Sequence, residues 1–365
     1  MTSWFLRTAA LATVGLLTLT ACGSPDARFQ RYGNPGHVAI GQAADGGPAV
    51  AFDAAATDQP GRLIGPHYSL LISGYSVTDV ARDDTAAVYG FADGPVKADT
   101  DHELFAAYVD PSSVAPTVEL DVVVVVGGEE IPLEHFPVGG ETVAAVIPAG
   151  GDVVLAVTDE ERTQRLDLRD GSRTDAVEAF YVGAPESPAA GDYEAVGVAT
   201  GDAGAGFVPV DRDVSISMSV GAATRSPWND EHGWAEDGTV WVGVEISDLA
   251  TNAVWGFDRS EGSHEPMMYW VLDERDLFSL SFGDDDASPV EDRSFTVDAD
   301  TPFFGRDDSS FDPAEAVIVF EVPEAVTTVV LSVKPSGTLA AEWSDVAGSG
   351  SWKSKPESDE FEFSF

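Results

Sequence analysis

Val118-Glu119-Leu120-Asp121-Val122-Val123-Val124-Val125-Val126 decides the fold class. Apolar and acidic residues alternate through its first half, then give way to five consecutive valines. Branching at Cβ restricts χ1 on a helix but packs well on a pleated sheet, so the run predicts a strand. Its uniformly apolar second half predicts a central strand covered on both faces. Gly127-Gly128 then turns the chain into Ile131-Pro132-Leu133.

The same signals recur on both sides of that run. Tyr68–Val77, Glu103–Val109, Thr142–Ile147, Val153–Val157 and Thr163–Leu168 are short, rich in β-branched or aromatic residues, and bounded by turn clusters. About seven or eight such strands in about 100 residues, with no amphipathic helix, predict a β-sandwich over 67–171. Further on, Val214, Ile216, Met218 and Val220 alternate within Asp213–Val220, and Thr239–Ile246 repeats the pattern. Asp276–Phe282, Ala316–Val322 and Thr328–Val333 follow, interrupted by two turn-rich excursions, Arg225–Gly238 and Gly283–Pro313. These predict a second sandwich over 213–345.

Three stretches read as connections. Residues 22–66 are rich in Gly, Ala, Pro and Asp and predict a flexible linker, with Ala49–Phe52 as an alternative extra strand. A Gly-rich coil of that length spans on the order of 35 Å, several times the Debye length of about 8 to 10 Å. Residues 172–212 have the same composition and predict an interdomain linker. Residues 346–365 form a linker-like tail ending in Glu360-Phe-Glu-Phe-Ser-Phe365, whose phenylalanines share one face of a strand. That strand either docks on the second sandwich or pairs with a partner's sheet edge.

The two halves carry a matching signature. Val146-Ile147-Pro148 precedes Val153–Val157 with Leu155 at its centre, as Glu321-Val322-Pro323 precedes Val329–Val333 with Leu331. A strand, a proline turn and a strand with a Leu-x-Val core resemble the immunoglobulin-like modules of bacterial lipoproteins of unknown function. The resemblance lacks the Cys…Trp…Cys pattern of antibody domains and implies architecture alone. The fold expected is therefore all-β, two tandem immunoglobulin-like β-sandwiches.

At the other end of the chain, Met1–Arg7 carries one positive charge and an apolar run from Thr8 to about Thr18 follows. That run is too short to span a bilayer and is the h-region of a signal peptide over 1–21. It closes on Leu19-Thr20-Ala21-Cys22, which holds the single cysteine and resembles the lipobox of bacterial lipoproteins. The resemblance implies that Cys22 receives lipid and becomes the mature N-terminus, placing the protein on the extracytoplasmic face of the cell membrane. Two acyl chains, at roughly 0.8 kcal/mol per buried CH₂, hold firmly where one holds marginally.

Composition narrows the partners. With 63 Asp and Glu against 19 Lys and Arg, the formal net charge is −44, and the acids are spread along the chain. Such a field repels phosphate, so nucleic acid is not an expected partner. With Cys22 acylated no thiol remains for disulfides, haem attachment, iron–sulfur clusters or thiolate zinc. A hydrophobic content of 44% leaves stability to burial.

No catalytic motif stands out. The six histidines form no His-x-x-x-His pair, and no Gly-x-Ser-x-Gly turn falls between a strand and a helix. The acidic excursion containing Asp284, Asp286, Asp298 and Asp300 offers oxygens for Ca²⁺, yet lacks the closing glutamate of an EF-hand loop. Apart from Trp4, every tryptophan lies after residue 227. Trp241 and Trp270 sit in strand-like runs and are expected in the core. Trp228, Trp234 and Trp255 lie in or beside loops with Asn229, Asp230, Glu231 and His232, a composition suited to stacking on a sugar or gripping a peptide. The same aromatics would equally serve to pack a long loop onto its sandwich. The function expected is a non-catalytic binding or scaffolding module without a cofactor, facing an envelope protein or glycan. The alternatives are a carboxylate-dependent hydrolase acting on envelope polysaccharide and a plain spacer.

Overall fold

A computed structural model describes residues 32–43, 45–52, 60–83, 85–92, 94–202, 207–211, 213–251, 254–258, 262–291, 294–296, 304–305, 315–334, 338–341, 347–353 and 360–365. Cys22, Asp298 and Asp300 lie outside them. The described chain is almost entirely strand, and its strands form separate sheets packed by their apolar faces, an all-β sandwich architecture. It divides into two compact units, one reaching to Leu63 and resuming over Tyr68–Thr174, the other made of Ile64–His67 and Asp175–Phe365.

The first unit packs a six-stranded sheet against a five-stranded one. In the six-stranded sheet His102–Val109 lies between Glu141–Pro148 and Ser69–Thr78, with Val38–Gln42 at one edge and Val50–Ala51 at the other. The five-stranded sheet runs Glu129–Pro132, Asp121–Val126, Val153–Asp159, Arg162–Asp167, Arg173–Thr174. Alternation sends Phe105, Ala107, Val109, Val143, Ala145 and Ile147 inward to meet Val122, Val124, Leu155 and Val157. The valine run is thus a strand, but covered on one face only: Val122, Val124 and Val126 are buried while Val123 and Val125 are half-buried. The strands enclosed on both faces are His102–Val109 and Glu141–Pro148, buried without a break from Leu104 to Val109 and from Thr142 to Ile147.

Their second face is covered by an excursion that the sequence presents only as turns. Val80–Ala81, the 3₁₀ turn Ala86–Tyr89 and Val96–Ala98 fold back so that Val88, Tyr89, Phe91 and Val96 meet Leu104, Ala106, Tyr108 and Val146. The layer approaches closely at Gly41, where a Cβ would lie 2.5 Å from the carbonyl oxygen of Val88. There the hydroxyl of Thr142, fully buried, donates to that same carbonyl at 2.6 Å. Part of the expected flexible linker belongs to this unit, since Tyr32–Gly33 pairs with Val96–Ala98 and Val38–Gln42 is a sheet edge. Ala49–Phe52 contributes the alternative strand, with Val50 opposite Tyr75.

In the second unit the main sheet runs Glu315–Pro323, Thr239–Thr251, Asp213–Ser226, Gly191–Asp202, Ala347–Lys353. Its inner face packs Ile216, Met218, Val242, Val244, Ile318 and Phe320 against Phe278, Leu280, Val329 and Leu331 of a four-stranded sheet. A further sheet is built on Val254–Asp258 and Ser263–Asp273. One boundary therefore moves. The stretch 172–212 is no linker past Thr174, because Gly191–Asp202 is a long strand of this sheet. The terminal strand takes the first of its two expected places: Glu360–Ser364 pairs with Thr328–Ser332 of the second unit and buries Phe363 completely.

The repeated proline signature has a structural counterpart. In each unit the strand ending at that proline, Glu141–Pro148 or Glu315–Pro323, lies in a six-stranded sheet, and the chain crosses at once to the opposing sheet as Val153–Asp159 or Thr328–Val333. Leu155 and Leu331 are both fully buried there. Proline suits the corner because it ends the ladder by removing a donor.

Candidate functional site

The strand Thr239–Thr251 explains how the second unit comes to carry loop aromatics on its surface. Val240, Val242, Val244 and Ile246 point into the core, so the pleat sends Trp241, Gly243 and Glu245 outward. Trp241 is therefore buried, as expected, but on the outer face rather than in the sandwich. What covers it is the hairpin that follows Ser226. Trp228–Asn229 pairs with Gly233–Trp234, so Trp228 and Trp234 stand directly opposite each other. Opposed residues share a face, which brings two of the three expected contact tryptophans together.

The hairpin tip is fixed by its own sequence. The side-chain oxygen of Asn229 accepts from the backbone amides of Glu231 at 2.9 Å and His232 at 3.2 Å, an Asx turn. Gly233 takes φ 73, the left-handed region that only glycine enters without strain. The Trp241 indole N–H donates to the Gly233 carbonyl at 2.9 Å, and Trp241, Ala235, Val319 and Val290 form a small apolar cluster beneath. His232 is tucked in rather than displayed, its ring 5.4 Å from that of Trp241 and its Nε2 at 3.9 Å from a Glu291 oxygen. Glu321, opposite Trp241 on the sheet, accepts from the Thr239 hydroxyl at 2.5 Å and the Glu236 amide at 3.2 Å, tying down the far end of the loop.

Trp228 and Trp234 are half-buried, each with an aromatic neighbour. Trp228 meets His67 edge-on at 4.7 Å, and Trp234 meets Phe180 edge-on at 6.2 Å. Packing thus takes part of each ring and leaves part to solvent, beside the exposed Asp230 and Glu231. Trp255 is on a different sheet, in Val254–Asp258, where it pairs with Pro266 and Asp211 and does not join the hairpin ladder.

Arg225 was not singled out by the sequence, yet it sets the hairpin's root. Only 4% exposed, its guanidinium donates to the carbonyls of Ala179 at 3.0 Å, Val182 at 2.9 Å and Val326 at 3.2 Å, and to that of Glu324. Burial lowers its pKa from the ordinary arginine value, and the nearby Glu324 opposes that shift. The bonds to Ala179 and Val182 hold Glu178–Tyr181, and with it Phe180, against the strand that leads into Trp228, and those to Glu324 and Val326 tie the same side chain to the turn after Pro323. The available signal was an arginine in an apolar alternating run, Gly221-Ala-Ala-Thr-Arg-Ser226, where a cation needs buried acceptors.

Of the expected metal ligands, Asp284 and Asp286 are described. Asp284 sits with Gly283 in the turn joining Phe278–Phe282 to Asp285–Ala287, and Asp284, Asp285 and Asp286 are all exposed. Among the described residues neither Asp284 nor Asp286 belongs to a group of three ligating side chains gathered around one point.

Comparison of the chain with protein families, with characterised proteins and with solved structures gives no match.

Proposed function

We propose that this chain is a non-catalytic binding or scaffolding module of the cell envelope, held on the extracytoplasmic face by lipid on Cys22. Its contact surface is the Trp228–Trp234 hairpin of the second unit. The observation that carries the reading is the opposition of those two half-exposed indoles on a hairpin pinned to a sheet by Trp241, with Asn229, Asp230 and Glu231 at the tip. Rigid aromatic faces beside polar groups stack on sugar rings or apolar peptide side chains at small entropic cost. An envelope glycan or protein is the matching partner. The lipobox supports the location, and the acidic body argues against a phosphate-rich ligand.

Two experiments test this. Soluble protein beginning at Gly23, immobilised and exposed to solubilised envelope glycan and protein fractions, should retain a component that Trp228→Ala/Trp234→Ala does not. Equal retention by the double variant removes the hairpin from the account. Labelling cells with radioactive palmitate should mark the wild-type chain and leave Cys22→Ser unlabelled; label persisting in the variant contradicts the anchor.

A further inference from the structure

The first unit carries a second surface that plays no part in the hairpin reading. Between the end of the five-stranded sheet and the chain that enters it lies an open groove of about 830 Å³. One wall is Ala115–Val122, the other Pro132–Val138, and apolar side chains of Val118, Leu120, Leu133 and Val138 line it over the buried Phe136. Val118 is 43% exposed, so its side chain is open to a partner.

Two further features define what would fill it. Thr117, Val118 and Glu119 make no backbone hydrogen bond within the described residues, so one wall offers free amide and carbonyl groups. Exposed Glu119, Asp121 and Glu134 rim the groove, and among the described residues no lysine or arginine lines it. Its histidine, His135, is 3.2 Å from a Glu141 oxygen. An apolar floor, an unpaired main-chain wall and an acidic rim on a chain of net charge −44 together specify a complement. We infer that the groove docks an extended peptide segment in which lysine or arginine alternates with small apolar residues. Its amides meet the 117–119 main chain, its apolar side chains sit on Val118 and Leu120, and its cations face Glu119, Asp121 and Glu134. A second copy of this chain is the wrong occupant, because its charge has the same sign.

The probe is a fluorescein-labelled Lys-Val-Lys-Val-Lys-Val peptide, read by anisotropy at about 0.15 M salt, where distant charges are screened. It should bind the wild-type chain, and Glu119→Lys/Glu134→Lys should weaken it by about tenfold or more, a loss ordinary for opposed charges at a contact. Reversing two exposed carboxylates elsewhere on the same unit, Asp83→Lys/Asp152→Lys, should change affinity less than about twofold. A Lys-Gly-Lys-Gly-Lys-Gly peptide, equal in charge but without the apolar side chains, should bind about fivefold more weakly. The inference is overturned if the valine peptide fails to bind, if both charge reversals weaken it equally, or if the glycine peptide binds as well. All four substituted positions are exposed, so circular dichroism should show both variants folded. The result does not depend on the Trp228–Trp234 hairpin, which can fail or hold separately.

Discussion

Each unit folds an excursion of chain onto the outer face of a six-stranded sheet, and the two excursions put their side chains to different use. In the first, Val88, Tyr89, Phe91 and Val96 are buried against Leu104, Ala106, Tyr108 and Val146, and the layer is closed. In the second, the hairpin buries only Trp241, Ala235 and Val319 beneath it and leaves Trp228 and Trp234 half in solvent. Covering a sheet face needs apolar area and nothing more. A pair of indoles held in register above that cover goes beyond what covering requires, which is why the second excursion and not the first is read as a contact surface.

The largest break in this contrast is at Arg225. Arg225→Met strips the donor from four carbonyls, two of which hold the segment bearing Phe180, and should cost on the order of 3 kcal/mol. Urea unfolding followed by tryptophan fluorescence reports the second unit, since apart from Trp4 every tryptophan lies after residue 227. A midpoint unchanged from wild type would mean that Arg225 does not anchor the hairpin's root.

The corresponding test of the first unit is Thr142→Val. It keeps the shape but leaves the Val88 carbonyl without its donor, at a cost of about 1 to 2 kcal/mol. Denaturation followed by far-ultraviolet circular dichroism should show a loss of that size while the tryptophan signal keeps its midpoint. A change below about 0.5 kcal/mol would mean the layer rests on apolar contact alone.

Smaller effects separate packing from display. Trp228→Ala and Trp234→Ala should each cost about 1 kcal/mol, because only part of each ring is buried. A loss above about 3 kcal/mol, the range of a fully buried tryptophan, would make these rings core residues and defeat the contact reading.

The smallest effect at neutral pH belongs to Tyr89. Its hydroxyl is pushed up to about 12, chiefly by burial and further by Tyr108. A folded-state pKa above the unfolded value of about 10 means that its contribution is fully present below pH 10 and is lost as pH rises through 12. Tyr89→Phe should therefore match wild type at pH 7 and unfold less readily between pH 10 and 12. Identical alkaline transitions in the two proteins would assign that loss to other groups.

Much of this architecture is legible in the sequence where strands are long and apolar. Tyr68–Val77, Thr142–Ile147, Val153–Val157 and Thr328–Val333 declare themselves, and the proline corners at Pro148 and Pro323 tie the two units to one pattern. Tyr32–Gly33, Val80–Ala81 and Val96–Ala98 do not, because two- and three-residue strands carry no period and draw their stability from edges supplied elsewhere. Gly41 reads as linker composition, yet its lack of a side chain is what lets the Ala86–Tyr89 turn approach the sheet. Trp241, expected in the core, carries the opposite signal in its own strand: in Val240-Trp-Val-Gly-Val-Glu-Ile246 the period of two sets it with Gly243 and Glu245, away from the core. The pairing of Trp228 with Trp234 was not, since it depends on the Asn229 turn fixing a register that spacing alone leaves open.

The contrast between the two excursions is tested most directly by photo-cross-linking in the living cell. A benzophenone amino acid replaces exposed Asp230 at the hairpin tip in one strain and exposed Ala87 on the first unit's closed layer in another. Irradiation should give a discrete cross-linked species from position 230 and none from position 87. Cross-links of equal yield at both positions, or none at position 230, would contradict the assignment of the contact surface to the tryptophan hairpin.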